Sequence, residues 1–414
     1  MKSIAVIGML VLMTAILSAC AGASPTRTTP LVKETASADQ SRTIIPTEEE
    51  AIAVQLPTPT FLPEEEPPRG VEREFTTDFS KHTVPYAEIL SGGPPKDGIP
   101  AIDEPHYVRV NEADSWLKPV EPVILVEVGQ EARAYPLQIL IWHEIVNDTI
   151  NGLPLTITFC PLCNTAIAFE RRFNGQILDF GTTGRLRYSN LIMYDRQSET
   201  WWQQANGEAI AGHYAGSQLL FYPAVIVAWE EFKSRYPEGT VLSRETGFSR
   251  SYSENPYIGY DDVRNPPFLY NGPRTPGELP PMARVLTLDL DGEAVAYPYE
   301  TLEKVQVVND VVGGQPIVVL WASGTASALD TESIANGRNI GSTTAFSRLL
   351  NGLLLGFKVI DDRITDQETG SEWNILGKAV KGELAGSQLT PVVAINHFWF
   401  SWAAFRPETK IYQP

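Results

Sequence analysis

An internal repeat limits the folds open to this sequence of 414 residues. Short motifs from residues 134–237 recur in the same order within residues 296–407, with small length changes between them. The matched pairs are Ala134-Tyr135-Pro136 with Ala296-Tyr297-Pro298, Val146-Asn147-Asp148 with Val308-Asn309-Asp310, Asn174-Gly175 with Asn351-Gly352, Asp195 and Trp202 with Asp366 and Trp373, and Gly212 and Ala215 to Leu219 with Gly382 and Ala385 to Leu389. Collinear matches that include Trp, Gly and Pro predict a duplicated structural unit.

Each predicted unit has the same order of elements. A strand (123–128 or 283–290) is followed by a short helix that opens at Pro136 or Pro298, where a missing N–H is harmless. Short strands separated by glycine turns follow, and a helix with a tryptophan closes the unit. We therefore predict an α+β, β-rich fold of two similar units. The first unit covers residues 77–250. Residues 251–414 hold a Pro- and Gly-rich linker and the second unit.

The N-terminus predicts export and a lipid anchor. Lys2 precedes an apolar run over residues 4–17, which is shorter than the roughly 20 residues of a membrane-spanning helix and is typical of a signal peptide. The run ends Leu17-Ser18-Ala19-Cys20, which resembles a bacterial lipobox. We expect cleavage of residues 1–20 before Cys20 and acylation of its thiol, so that the mature chain is held outside the cytoplasm on a membrane.

Residues 21–76 are rich in Thr, Ser, Pro and Glu, and predict a disordered tether between the lipid and the globular part. The net charge of -18 argues against nucleic acid as a partner and against docking on anionic lipid by charge. It does not identify a protein or small-molecule partner. With Cys20 acylated, only Cys160 and Cys163 remain, so the chain is not a disulfide-rich scaffold.

The candidate site is Cys160-Pro161-Leu162-Cys163, directly after the apolar strand predicted for residues 155–159. Two cysteines at this spacing in a tight turn place both sulfurs on one side, where a metal ion can bind them. Asn164 can take the left-handed conformation that such a turn requires. The same spacing serves redox dithiols, and an exported location permits a disulfide. A small structural disulfide, or a pair of buried thiols, is the third alternative.

The two copies differ at every soft or titratable position of interest. Cys160 and Cys163 align with Ala322 and Thr325, and His143 aligns with Val305. Met193 and His213 are likewise replaced, by Ile364 and Glu383. We therefore expect a single site, in the first unit, with Cys160, Cys163 and His143 as metal ligands and Met193 or His213 as less certain additions. Two thiolates with an imidazole suit copper or zinc.

Several longer motifs resemble a known family. Residues 94–102 (Pro-Pro-Lys-Asp-Gly-Ile-Pro-Ala-Ile) open the similarity, and the segments 133–136, 142–148, 159–163, 193–196 and 207–219 continue it in order. Together they resemble the prokaryotic family known as domain of unknown function 3179, from about Pro94 to the C-terminus. The resemblance implies no particular activity, so the chemistry has to be inferred from the residues.

These observations leave three functions open. The first is a lipid-anchored extracytoplasmic protein that binds copper or zinc through the cysteine pair and His143. The second is a thiol–disulfide oxidoreductase that uses the same cysteines. The third is a binding or structural module without chemistry. The sequence does not decide whether the protein is an enzyme.

Overall fold

Strands, most of them paired antiparallel, dominate the secondary structure of residues 60–414, the part that the computed structural model describes. The chain is β-rich, with 39% of residues in strands and 12% in helices, as predicted. Cys20 and tether residues 21–59 lie outside the described residues. Within 60–414, no helix is long and apolar enough to cross a membrane.

The first part of the chain, up to residue 242, contains the elements that surround the cysteines. Its helices are α1 (Val110–Ala113), α2 (Leu137–His143) and α3 (Trp229–Arg235), with 3-10 turns at Val71–Arg73, Tyr86–Glu88 and Pro161–Cys163. Its strands are β1 (Ile89–Ser91), β2 (Tyr107–Arg109), β3 (Pro122–Val128), β4 (Glu131–Pro136), β5 (Ile145–Ile150), β6 (Leu153–Cys160), β7 (Thr165–Glu170), β8 (Arg172–Phe173), β9 (Gln176–Ile177), β10 (Phe180–Arg187), β11 (Asn190–Asp195), β12 (Trp201–Gln203), β13 (Ala209–Ala211), β14 (Phe221–Tyr222), β15 (Val225–Ala228) and β16 (Thr240–Leu242).

The second part, from residue 284 onward, contains two helices, α4 (Tyr299–Val305) and α5 (Trp399–Ala403), and a 3-10 turn at Ile334–Asn336. Its strands are β17 (Arg284–Leu290), β18 (Glu293–Pro298), β19 (Val307–Val312), β20 (Gln315–Ala322), β21 (Ser342–Ser347), β22 (Leu349–Leu350), β23 (Leu353–Leu354), β24 (Phe357–Ile360), β25 (Arg363–Asp366), β26 (Glu372–Trp373), β27 (Ala379–Lys381), β28 (Ile395–Phe398) and β29 (Lys410–Ile411).

Three small sheets and one hairpin form each part of the chain. In the first part the strand orders are β15-β3-β4-β16-β2, β14-β7-β6-β5 and β1-β10-β11-β12-β13, with β8-β9 as the hairpin. In the second part the orders are β28-β17-β18-β29, β19-β20-β21 and β24-β25-β26-β27, with β22-β23 as the hairpin. In both parts a short helix, α2 or α4, leads from the first sheet into the second.

The hydrophobic cores join the two parts of the chain. The largest cluster contains side chains of β3 to β7 together with Phe398 and Phe400 from the C-terminal region. A second cluster contains Val227 and Phe232 together with Val318 and Leu320. Each fully buried apolar side chain of this size contributes roughly 1.5–3 kcal/mol to folding, so neither part is expected to keep its full stability alone.

The end of the predicted tether needs correction, because part of residues 60–76 is packed. Val71 and Phe75 are buried in a cluster with β11, β12 and β13, and the ring of Phe75 lies edge-on to Tyr194 and Trp201 at centroid distances of 5.3 and 5.1 Å. The folded part therefore begins before residue 77. The average composition of residues 21–76 concealed these two apolar residues, which are sufficient to dock the segment.

The helix before the site begins one residue later than predicted. Pro136 is the last residue of β4 and the N-cap of α2, with extended dihedral angles (φ -61, ψ 130). Proline fixes φ near this value in either state, so the sequence alone did not separate the two positions. The helix ends at His143, and Glu144 then takes a left-handed conformation (φ 59, ψ -29) that turns the chain into β5.

Candidate functional site

Cys160 and Cys163 lie in the tight connection between two core strands. Cys160 is the last residue of β6, the 3-10 turn Pro161–Cys163 follows, and β7 begins at Thr165, which pairs with Cys160. Asn164 has φ 51 and ψ 40, the left-handed conformation predicted for it. Asparagine tolerates this conformation better than most residues. The turn holds both side chains at one end of the sheet, where each carries a free thiol.

Both thiols are directed at one backbone oxygen. The carbonyl oxygen of Ser189 lies 3.4 Å from Sγ of Cys163 and 3.9 Å from Sγ of Cys160. The side-chain amide of Asn190 also donates to Sγ of Cys163, at 3.5 Å. Cys160 is 2% exposed and Cys163 is 0% exposed, so the pair is shielded from water. The arrangement is a buried dithiol whose sulfurs share one acceptor.

A strained turn supplies that acceptor. Tyr188 and Ser189 connect β10 to β11, and Arg187 pairs directly with Asn190, so the hairpin has a two-residue loop. Both loop residues have positive φ, 54 for Tyr188 and 68 for Ser189. Such loops favour Asn and Gly, because a side chain at positive φ is strained. Strain of this kind is concentrated at functional sites, and here it aims a carbonyl at the sulfurs.

A network of buried side-chain amides holds the Tyr188–Ser189 turn in place. Asn190 donates to Oε1 of Gln204 at 2.8 Å and accepts from Nε2 of Gln203 at 2.6 Å. Gln204 donates in turn to Oγ1 of Thr158, at 3.0 Å, and to the carbonyl oxygen of Thr165, at 3.2 Å. The three amides are 0% exposed. The network connects β11 and β12 to the strands that carry the cysteines and fixes the position of Cys163.

Glu144 is a member of the site that the sequence analysis did not identify. Ile145 pairs with Thr158, and the Glu144 carbonyl accepts from the backbone N–H of Phe159 at 2.8 Å, so Glu144 lies beside the end of β6. Burial raises the pKa of its carboxyl well above the ordinary value, and the charge of a Cys160 thiolate raises it further. The sequence alignment of the two parts could have identified Glu144, because it aligns with the uncharged Gln306. The two residues share the same backbone conformation, with φ 59 and 60.

The thiol of Cys160 is held in its protonated form. Burial raises the pKa of Cys160 well above its ordinary value, and its hydrogen bond to Cys163 and the charge of a Cys163 thiolate raise it further. A buried thiol with a raised pKa is a poor nucleophile, because the thiolate is the reactive species. A metal ion that binds here has to displace protons from the sulfurs.

The structure does not bring His143 to the cysteines. Its Nδ1 lies 2.8 Å from the carbonyl oxygen of Pro100, and its Nε2 lies 2.7 Å from the hydroxyl of Tyr252. Burial lowers the pKa of this histidine, and Nδ1 donates to the carbonyl, so Nε2 accepts from the tyrosine. Both ring nitrogens are therefore occupied. His143 is the last residue of α2, and Glu144 after it takes the left-handed conformation.

The other two candidate ligands lie on other elements, Met193 in β11 and His213 after β13. Met193 is fully buried within β11, opposite Trp202. His213 is exposed, with its ring against Tyr214 at a centroid distance of 4.6 Å. Over residues 60–414, no group of three or more His, Cys, Asp or Glu side chains is arranged to hold a metal ion. The predicted ligand set of two cysteines and a histidine is therefore not assembled in this part of the chain.

The predicted linker covers the site. We call residues 252–270 the tyrosine strap. Tyr260 donates its hydroxyl to the carbonyl oxygen of Leu162, inside the cysteine motif, at 3.0 Å. Burial raises the pKa of Tyr257, and the charges of Glu144 and Cys160 raise it further. Trp142 reaches the strap as well, donating to the carbonyl oxygen of Glu254 at 3.3 Å.

The turn at residues 322–325, which the sequence aligns with the cysteine turn, carries no thiol. Thr325, at the position of Cys163, is fully buried, and its hydroxyl pairs with that of Ser342 at 2.5 Å. Ala322, at the position of Cys160, ends β20 and pairs with Ser342 in the sheet. Ser342 pairs with Ala322 as Thr165 pairs with Cys160, so the hydroxyl pair joins the positions of Cys163 and Thr165. Within residues 60–414 the free thiols are those of Cys160 and Cys163.

Comparison with known proteins places the chain in a family. The model of the family described as "Protein of unknown function (DUF3179)" matches residues 96–409, which include the cysteine turn, the tyrosine strap and the second set of sheets. The chain therefore belongs to this family, as its motifs indicated. No curated protein and no solved structure matches the chain significantly. The family description names no activity, so the function has to be argued from the site.

Proposed function

We propose that this chain is an exported, lipid-anchored protein that binds a soft metal ion through the thiolates of Cys160 and Cys163. The observation that carries the proposal is the convergence of two buried free thiols on the carbonyl oxygen of Ser189, at 3.4 and 3.9 Å. Thiolates are soft ligands that select monovalent copper, zinc or iron–sulfur clusters. The backbone turn fixes both donors before any ion arrives.

Monovalent copper fits this donor set better than zinc. A structural zinc site has four ligands, and a catalytic one keeps three protein ligands. The cysteine turn offers two thiols, and within residues 60–414 no third His, Cys, Asp or Glu is placed to complete the set. Monovalent copper accepts two thiolates in a nearly linear arrangement. Binding releases two protons, one from each thiol, and leaves a complex with one negative charge.

The N–H groups around the sulfurs support this assignment. A buried anion needs hydrogen-bond donors to offset the loss of water. The side-chain amide of Asn190 already donates to Sγ of Cys163, and the amide is held in place by Gln203 and Gln204. The same contact that positions the free thiol would stabilise the thiolate of the copper complex.

Copper loading of cysteine variants tests the proposal. The protein, purified under reducing conditions without a metal-chelating tag, is titrated with Cu(I) against a chromogenic Cu(I) chelator. We expect one ion per chain, lost in both Cys160→Ser and Cys163→Ser. His143→Gln is the matched control, because His143 belonged to the predicted ligand set but hydrogen-bonds elsewhere. Unchanged copper binding in both serine variants, or copper lost in His143→Gln with circular dichroism unchanged, would contradict this ligand set.

Thiol–disulfide chemistry is the second candidate, favoured by the convergence of both free thiols on one carbonyl oxygen. Closing the disulfide removes two protons and two electrons, which an external disulfide would accept. Burial and the raised pKa of Cys160 oppose fast exchange. Mass spectrometry after incubation with oxidised and reduced glutathione distinguishes the candidates, since a redox dithiol cycles between the two forms without metal. A protein that neither binds copper nor cycles would instead be a binding or structural module.

Acylation of Cys20 is proposed from the lipobox-like sequence Leu17-Ser18-Ala19-Cys20. A bacterial host expressing the full precursor and fed a radiolabelled fatty acid should label the wild type. The Cys20→Ala precursor should remain unlabelled and uncleaved. Equal labelling of the two proteins would remove the lipid anchor from the proposal and leave the copper site unaffected.

We also infer that the two parts of the chain descend from one duplicated unit. The recurring motifs support this, as do the common strand orders β5-β6-β7 and β19-β20-β21 and the helix ends at Glu144 and Gln306 with φ 59 and 60. An experimental structure in which the Cα traces of residues 122–242 and 284–411 fail to superpose would contradict the inference.

A further inference from the structure

A cavity lies where the second part of the chain packs against the first. Its apolar walls include Phe221 from the first part and Ile395, Trp402 and Phe405 from the second. A concave, mostly apolar space between two packed parts is the usual form of a ligand site. The cavity volume is about 180 Å³, below the roughly 300–1,000 Å³ of sites for drug-sized molecules. A ligand of this cavity therefore has to be small, about the size of a single amino acid.

The same kind of junction occurs a second time in the molecule, and there it is filled. Strand β28 packs against β7 beside the cavity, whereas β15, which the sequence aligns with β28, packs against β21, which aligns with β7. At this second junction, Leu125, Phe232 and residues 375–376 lie in one hydrophobic cluster. The side chain of Arg235 donates across the junction to Oε1 of Gln388, at 3.5 Å.

Smaller and more polar side chains open the cavity at the aligned positions. Thr287 stands where the filled junction has Leu125. Residues 205–206, Ala-Asn, precede Gly207 as residues 375–376, Ile-Leu, precede Gly377, and the two glycines have φ 70 and 71. An empty space costs stability in proportion to its volume. Because the same strands form the filled junction, the fold does not impose the cavity, and a ligand site accounts for it.

Two charged side chains at the mouth of the cavity indicate the class of ligand. Nε of Arg406 donates to Oδ2 of Asp289 at 2.8 Å, and both side chains are partly exposed. Among residues 60–414, neither Oδ1 of Asp289 nor Nη2 of Arg406 has a hydrogen-bond partner. At the filled junction, Tyr236 takes the position of Arg406 and donates its hydroxyl to Glu127, so that junction has no cation there.

We propose that this cavity binds a free α-amino acid with an apolar side chain. Arg406 binds its carboxylate and Asp289 its ammonium group through charge-assisted hydrogen bonds, while Trp402 and Phe405 contact its side chain. Because Arg406 and Asp289 touch, the two charges of the ligand must also be adjacent, as they are around the α-carbon of a free amino acid. Neither cysteine lines the cavity, so this site and the copper site can be tested separately.

Isothermal titration calorimetry of metal-free, reduced residues 21–414 tests the ligand class, with L-leucine and L-phenylalanine as probes. We expect one binding site per chain. The compounds 4-methylpentanoate and isopentylamine each lack one charged group of leucine, and glycine lacks the side chain. Each should bind at least about tenfold more weakly than leucine, because a charge-assisted hydrogen bond or a buried apolar side chain is lost. Equal binding of leucine and either singly charged analogue would overturn the proposal.

Thr287→Leu tests the location, because it places in the cavity the leucine that the filled junction has at position 125. It should abolish leucine binding while circular dichroism stays unchanged. Arg406→Gln keeps the space and should weaken binding at least about tenfold. Arg363→Gln is the matched control, since Arg363 is an exposed arginine with one carboxylate contact at 2.8 Å, and its binding should equal that of the wild type.

Two results would refute this assignment. One is the absence of binding of both amino acids to the wild type at millimolar concentration. The other is wild-type affinity for leucine in both Arg406→Gln and a folded Thr287→Leu. If Thr287→Leu does not fold, Arg406→Gln alone decides, because this change at the mouth of the cavity leaves the core intact.

Discussion

Replacing Asn190 with alanine is expected to destabilise the protein by about 3–5 kcal/mol, because two buried groups lose their partners. The Asn190 side chain accepts from the backbone N–H of Ala205 at 2.9 Å and from Nε2 of Gln203 at 2.6 Å. It donates to Oε1 of Gln204 at 2.8 Å. In the variant, Nε2 of Gln203 loses its bond to Asn190 but keeps a long hydrogen bond to the carbonyl oxygen of Leu191, at 3.4 Å, so it is not left unpaired.

The magnitude follows from the cost of stranding buried polar groups. The N–H of Ala205 and Oε1 of Gln204 each cost about 1–3 kcal/mol when left unpaired. The space left by the deleted amide adds a smaller cavity term. The sum is a large fraction of a typical folding free energy of about 5–15 kcal/mol, so the variant remains folded in buffer but unfolds at much lower denaturant.

Urea unfolding followed by tryptophan fluorescence measures the effect, with the free energy of unfolding extrapolated to water. Gln197→Ala is the matched control. Gln197 also makes two amide hydrogen bonds, to the backbone N–H of Asp179 at 2.9 Å and to its carboxylate at 2.8 Å, but it is exposed. The control should lose less than about 1 kcal/mol. A loss below 1 kcal/mol in Asn190→Ala, or equal losses in the two variants, would refute the reasoning.

Two further predictions concern pH. Burial holds the pKa of Glu144 above its ordinary value, so above about pH 4.5 the folded state keeps a proton that the unfolded state releases, and stability falls as the pH rises through this window. Glu144→Gln, which copies Gln306, should be the more stable protein at neutral and alkaline pH and should show a flatter pH dependence in urea unfolding; parallel curves would contradict this. Burial lowers the pKa of His397 to about 3, so the unfolded state binds the extra proton, and stability falls by up to about 1.4 kcal/mol per pH unit as the pH drops from about 6.5 toward 3. His397→Leu should remove this slope while losing the contact to Oγ1 of Thr165 (2.9 Å) at all pH values, and an unchanged slope would show that His397 is not the titrating group.

Local features of the site could be predicted from the sequence. Cys160 and Cys163 are three residues apart, so one turn fixes their relative position, and Asn164 identifies the left-handed residue that closes it. Runs of apolar and β-branched residues likewise predicted β6 and β20, because alternation along a strand is a local property. Family membership also follows from the sequence, since the motifs occur in order over residues 96–409.

The surroundings of the cysteines depend on how distant segments meet. The sequence favoured His143 as a ligand, because Val305 replaces it in the second copy together with the cysteines and an imidazole suits a soft metal. The direction of its side chain is not encoded locally. In the structure His143 is hydrogen-bonded to Tyr252, 109 residues later, and Glu144 lies beside the end of β6.

The position of the tyrosine strap could not be predicted from the sequence either. Its Pro, Gly and Asn content is typical of a linker, yet Asn255 and Asp261 are 2% exposed. Tyr260 reaches the carbonyl of Leu162 across 98 residues of sequence. The composition of residues 252–270 predicts only that the segment bends easily. Which surface it covers is decided by the packing of the sheets on either side, because the free energy of burying its tyrosines is available only after those sheets have formed.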